Sequence, residues 1–149
     1  MGGPAIDIKL EVIQGSDESL EFYFFNPPAN GSTDPTDLVP VDMTNCTARM
    51  MVRPSPDPQA TMMLSLAGGL GLSSASPTGI AFGAGTINPG PSVPSYNNGF
   101  TITVTKAQSL NMNGGRAIVA YYDLMLDWNN GTTSIWMRGT FQLTASVTR

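Results

Sequence analysis

From Ile6 to Val12 the chain alternates without a break, with Ile6, Ile8, Leu10 and Val12 set against Asp7, Lys9 and Glu11. A period of two belongs to an extended chain with one face in a core and the other in water, so a strand is predicted over 6–12. Gly15-Ser16-Asp17 turns the chain. Leu20, Phe22 and Phe24 then alternate with Glu21 and Tyr23, a second strand that Asn26-Pro27-Pro28 ends, because proline has no N–H for a ladder. Residues 26–40 read as a polar loop of turn chemistry, with Gly31-Ser32-Thr33-Asp34-Pro35 and Pro40. A third strand is predicted over 41–53, with Cys46, Ala48, Met50 and Val52 on one face and Thr47, Arg49, Met51 and Arg53 on the other. Pro54, Pro56 and Pro58 close it, and a short fourth strand is expected over 61–66.

Phe100, Ile102 and Val104 alternate with Thr101, Thr103 and Thr105 as a further strand, and one helical turn is expected over 106–112 with Leu110 and Met112 inward. Gly114-Gly115 resets the direction. Over 117–128, Ala120, Tyr122, Leu124, Leu126 and Trp128 share one face of a long strand. Asn129-Asn130-Gly131 predicts a hairpin, since Asn-Gly tolerates the positive φ angles of a type I′ turn, and the returning strand covers 134–147. Earlier, Ala67 to Asn98 is low in charge and rich in Gly, Ser and Pro, with a weak strand signal at Ile80-Ala81-Phe82. Too few large apolar residues lie there for a second core, so 67–98 reads as an extended loop or arm within one domain spanning 1–149. About seven to nine strands joined by turns define an all-β fold, an immunoglobulin-like antiparallel β-sandwich with a long Gly/Pro/Ser-rich loop. Tyr121 or Tyr122 takes either a part like the tyrosine corner of such sandwiches or a place in the core.

Composition agrees with an all-β chain: charged residues are 12% of it, where exposed helix faces would demand Glu, Lys and Arg. The net charge of -4 is unevenly spread, with nine of the eleven acids between Asp7 and Asp57. Seven scattered cations make no basic stripe, which excludes nucleic acid as a partner. The acidic front half and slightly basic back half suit either head-to-tail contact between copies or an ordinary solvated surface. Cys46 is the single cysteine, so no internal disulfide forms and it reads as a small buried hydrophobe. No run reaches the roughly 18 to 20 apolar residues of a membrane span, and Met1-Gly2-Gly3-Pro4-Ala5 opens no signal segment. Synthesis in a cytoplasm is expected, no membrane partner is expected, and the sequons at Asn30, Asn45 and Asn130 are chance matches.

Histidine is absent, and with it the usual general base, the commonest metal ligand and every Ser-His or Cys-His nucleophile. Asp123 and Asp127 are the obvious acid pair, but four residues along a strand sets them about 13 Å apart, too far for a glycosidase pair. One cysteine gives no zinc site, and neither Asp34 with Asp37 nor Asp17 with Glu18 has the spacing and turn glycine of a calcium loop. Gly68-Gly69-Leu70-Gly71 and Gly83-Ala84-Gly85 lack the lysine and following helix of a phosphate loop. No enzymatic activity, metal or cofactor is therefore expected. Nine methionines, among them Met50-Met51 and Met62-Met63, are either core filler or an adaptable contact surface. Neighbours on a strand face opposite ways, so one of each pair is exposed or covered by another subunit. Met51, Met63, Phe82 and Tyr96 are the candidate assembly contacts. Trp128, Trp136 and Tyr96 would stack on sugar rings in a carbohydrate-binding module; the alternative packs both tryptophans in the core around the terminal hairpin.

Several segments carry a resemblance in the same order along the chain. They are Val41 to Arg53 with its Thr47-Ala48-Arg49-Met50 wording, the Thr-rich Gly99 to Thr105, Tyr121-Tyr122-Asp123-Leu124-Met125-Leu126, Gly139-Thr140-Phe141-Gln142-Leu143, and Val147-Thr148-Arg149. Together they resemble small virion structural proteins of tailed bacteriophages. The departures are extra residues between Arg116 and Tyr121 and a longer Gly/Pro/Ser insertion after Ile80. The resemblance implies a non-enzymatic immunoglobulin-like module of the tail, baseplate or fibre-attachment apparatus, made in the host bacterial cytoplasm and located in the virion. Its partners would be other virion proteins and copies of itself. A capsid decoration (cement) protein stabilising the head shell is the alternative, and a carbohydrate-binding module a further one. On this reading the terminal hairpin is scaffold and the member-specific contacts lie in 67–98.

Overall fold

The computed structural model describes residues 5–27, 31, 33, 38–43, 45–69, 79–83, 98–112, 116–128 and 130–145. The strands are β1 (Ile6–Asp7), β2 (Leu10–Ile13), β3 (Glu18–Tyr23), β4 (Phe25–Asn26), β5 (Val39–Pro40), β6 (Thr47–Arg53), β7 (Leu64–Gly69), β8 (Ile80–Gly83), β9 (Gly99–Val104), β10 (Ile118–Asp127) and β11 (Thr133–Thr144), with helix α1 at Lys106–Asn111. The large sheet runs β1-β11-β10-β6-β7, with β2 also on β11; β3-β9-β8 form the small sheet and β4-β5 a ribbon. Reading β3, β6, β8, β9, β10 and β11 as strands B to G reproduces the immunoglobulin division into a B-E-D sheet and a C-F-G sheet, and β7 sits beside β6 as C′ does beside C. The fold is an immunoglobulin-like all-β sandwich. Its pairings are antiparallel except where β1 and β2 run parallel to β11.

One core fills the space between the sheets. Met50, Leu124, Met137, Phe141 and Leu66 from the large sheet meet Phe100, Ile102, Val104 and Ile80 from the small one, and Cys46 is buried among them. Alternation did its expected work on β6 and β10, where every second residue is buried.

Four elements depart from the alternation, each for a local reason. The strand predicted over 6–12 is two strands: the Ile8 carbonyl is taken by the Tyr122 hydroxyl, so the ladder to β11 is interrupted there. Ile6, expected inward, is 37% exposed. The strand predicted over 41–53 begins only at Thr47, because Asn45 takes a left-handed φ of 62° that no ladder accommodates. Val41 and Met43 are nevertheless buried, so their alternation reflects burial without a strand. The short strand expected over 61–66 lies at Leu64–Gly69. In α1 the inward residues are Ser109 and, just beyond, Met112, three apart, while Leu110 is half-buried. Thr105 caps this helix with Gln108 in a reciprocal capping box.

The terminal hairpin also differs in detail. The Gly131 N–H donates to the Trp128 carbonyl at 3.0 Å and the Trp128 N–H to the Thr132 carbonyl at 2.8 Å. That closes a three-residue connection with Gly131 at φ 89°, in place of the two-residue type I′ turn. A bulge between Leu124 and Met125 sets Trp136 out of the regular pairing. Most of the loop expected over 67–98, with Tyr96, and the terminal Val147-Thr148-Arg149 lie outside the described residues.

Candidate functional site

Asp127 accepts from Thr133 Oγ1 at 2.7 Å and Thr47 Oγ1 at 3.3 Å, and pairs with Arg49 Nε at 3.5 Å. Its carboxylate is thus spent tying β6, β10 and β11 together. Asp123 lies on the same outer face four residues back along β10, opposite Arg138 on one side and Met51 on the other. Among the described residues no three His, Cys, Asp or Glu side chains gather as a metal site would need.

Both tryptophans pack inward. Their rings meet edge to face at 5.4 Å, Trp136 stands edge to face on Phe24 at 5.3 Å, and the Trp128 indole N–H donates to Ser134 Oγ at 2.8 Å. Trp128 is buried and Trp136, partly buried, packs against the core, as in the alternative that places both rings around the terminal hairpin.

Of the three candidate contacts among the described residues, Met51 alone sits on an outer sheet face, half-buried, with Arg53 Nη1 3.5 Å from its sulfur. Met63 packs against the core and its neighbour Met62 is the exposed member of that pair, at 46%. Phe82 also packs against the core, 5.6 Å from Phe100 ring to ring. Tyr96 lies outside the described residues.

The two outer faces differ sharply. On the small sheet the outward positions are Ser19, Glu21, Tyr23, Ala81, Thr101 and Thr103, with Ser19 and Thr103 hydroxyls 3.4 Å apart and the Tyr23 hydroxyl donating to Glu21 at 3.3 Å, and no strand of that sheet carries a large apolar residue among the exposed ones. On the large sheet, Val119, Tyr121 and Ile135 are 52%, 38% and 43% exposed on the outward positions of β10 and β11. A groove of about 480 Å³ crosses this face, lined among others by Met51, Pro56, Tyr121, Asp123, Ile135 and Arg138. Its floor is the register row Asp7–Arg138–Asp123–Met51, read across β1, β11, β10 and β6.

Beneath the groove, Tyr122 is buried at 4% exposure and its hydroxyl donates to the Ile8 carbonyl. Burial, with the Asp7 carboxylate adding to it, holds the phenol well above its ordinary pKa. A phenol kept neutral on a backbone carbonyl is a structural tie. The arrangement as a whole offers contact area and opposed charges, the chemistry of docking.

Sequence reasoning missed this face. The signal was present: in β10 and β11 the outward half of the alternation carries Val119, Tyr121, Met125 and Ile135 where a solvated strand would carry polar residues.

No family model and no curated protein matches the chain. Among solved structures, one from a photo-crosslinking study of multimeric cell-adhesive interactions of VGSC beta subunits is similar at 9% identity, with a TM-score of 0.41, over 94% of this chain and 92% of that one. Murine CRIg is similar at 6% identity, with a TM-score of 0.37, over 93% and 92%. The fold assignment rests on the strand order and the shared core.

Proposed function

We propose that the chain is a non-enzymatic structural protein of a tailed-phage virion that docks in multiple copies on the tail, baseplate or fibre-attachment apparatus. The observation that carries the docking part is the outer face of the large sheet, where Val119, Tyr121 and Ile135 stand exposed beside a groove on an otherwise orderly strand surface. Apolar side chains on one sheet face, with a row of opposed charges running between them, suit a protein contact. The phage assignment is supported by the resemblance of the Thr47-Ala48-Arg49-Met50, Gly99–Thr105 and Tyr121–Leu126 segments. An enzymatic reading has no support from Asp127, whose oxygens are engaged by Thr47, Arg49 and Thr133.

A three-dimensional reconstruction of the particle, with the chain fitted to density, tests this. Repeated copies on the tail or baseplate are the expected result. Copies on the head shell alone would replace it with the capsid-decoration reading, and absence from the particle would overturn both.

A further inference from the structure

We propose that the outer face of the large sheet docks on the same face of a second copy, about a two-fold axis that runs along the strands between β10 and β11. The proposal rests on the multi-copy reading and adds to it the surface, the partner and the geometry.

Lys9 is paired with Glu11 at 3.0 Å and Arg49 with Asp127 at 3.5 Å. The remaining charges on the face are Arg53 on β6, Asp123 on β10, Arg138 on β11 and Asp7 on β1, and among the described residues none of them belongs to an ion pair. In sheet order β6-β10-β11-β1 these columns read basic, acidic, basic, acidic. A two-fold axis lying in the interface parallel to the strands reverses the column order of the second copy. Each basic column then faces an acidic one. An axis across the strands would set β6 on β6 and β11 on β11, like charge on like, which is destabilising.

Register sharpens the match. Rotation about an axis along the strands keeps each cross-strand row at its own height. Asp123 and Arg138 share a row, so each Asp123 meets the other copy's Arg138, twice per interface. Met125 and Ile135 share another, so thioether meets isoleucine. Tyr121 and Thr140 share a third, setting a phenol against a hydroxyl. Facing sheets pack with strand directions within about 30° of each other, which agrees with an axis along the strands. The ten residues of β10 and the four strand positions that overlap about this axis, β6, β10, β11 and β1, give a footprint of roughly 600 Å², the lower end of the share per partner of a standard interface.

Sedimentation equilibrium on the full chain tests the inference, with Asp123→Lys, Arg138→Glu, their mixture and the double variant. The wild type is expected to dimerise and to weaken with added salt. Each single variant places like charges opposite one another twice and is expected to weaken association by about a hundredfold. An equal mixture of the two single variants, and the double variant alone, restore opposite charges at both pairs and are expected to dimerise again. Both positions face outward, and circular dichroism checks that each variant is folded. A wild type monomeric at every concentration reached, or a dimer indifferent to both substitutions, overturns the proposal. Neither result bears on the place of the chain in a virion, which the reconstruction decides separately.

Discussion

Tyr122 shows most plainly what one side chain contributes here. Its ring fills the core from β10 while its hydroxyl crosses to the Ile8 carbonyl, so a single residue pins the start of the chain to the middle of the large sheet. Removing the hydroxyl in Tyr122→Phe leaves the ring in place and is expected to cost about 1 kcal/mol, read by urea denaturation. The effect of pH has a definite sign. Below about pH 10 the phenol is neutral in both folded and unfolded chains, and its contribution is complete. Above that value the unfolded chain releases the proton while the buried phenol, held above its ordinary pKa, keeps it, so stability falls as pH rises. Tyr122→Phe is expected to lose stability less steeply than wild type through that window, and an equal slope would refute the assignment. Burial of Cys46, Met50 and Leu124 was legible from alternation alone. The places of Met63 and Phe82 were not, because exposure at the rim of a sandwich depends on what the other sheet brings over it.

At the scale of elements, the informative joint is where the two sheets meet. A side chain at Gly68 on β7 would put its Cβ 1.7 Å from the Ile80 carbonyl oxygen of β8, so the backbones approach more closely there than any other residue permits. Gly68→Ala is therefore expected to push β7 and β8 apart and to destabilise by about 1 to 3 kcal/mol, seen as a lower melting temperature. Read in one dimension, Gly68 looked like part of a flexible connector. Its role became visible only beside Ile80, which the sequence separates from it by a stretch of Gly and Ser. The three-residue closure of the β10–β11 hairpin has a similar origin. An Asn-Gly pair permits more than one turn, and the one formed here is closed by the Gly131 N–H on the Trp128 carbonyl and the Trp128 N–H on the Thr132 carbonyl.

For the molecule as a whole, the sandwich has one core and two unlike surfaces. Cys46 is buried at 2% exposure in the core. Native-state labelling of its thiol is expected to follow global unfolding, accelerating with urea in step with the loss of the fold. Rapid labelling without denaturant would mean that the core opens locally around 41–47. The small sheet's outer face is hydroxyl-rich and solvated, whereas the large sheet presents Val119, Tyr121 and Ile135 beside the Asp7–Arg138–Asp123 row. Association through the large sheet alone is the expected outcome of that asymmetry, checked by the sedimentation measurement on the charge variants.

By itself the sequence determined the strand periods, the buried half of β6 and β10 and the absence of histidine, because these are properties of neighbours along the chain. It also held the apolar outward positions of β10 and β11, though not their meaning. Only the tertiary structure decided that β1 and β2 join β11 in parallel, that Trp128 and Trp136 face inward, and that Asp7, Arg138 and Asp123 share a row. The physical reason is that a charged or apolar column across a sheet is assembled from strands more than a hundred residues apart in the chain, as Asp7 and Arg138 are, and its sign pattern exists only once their order and register are set.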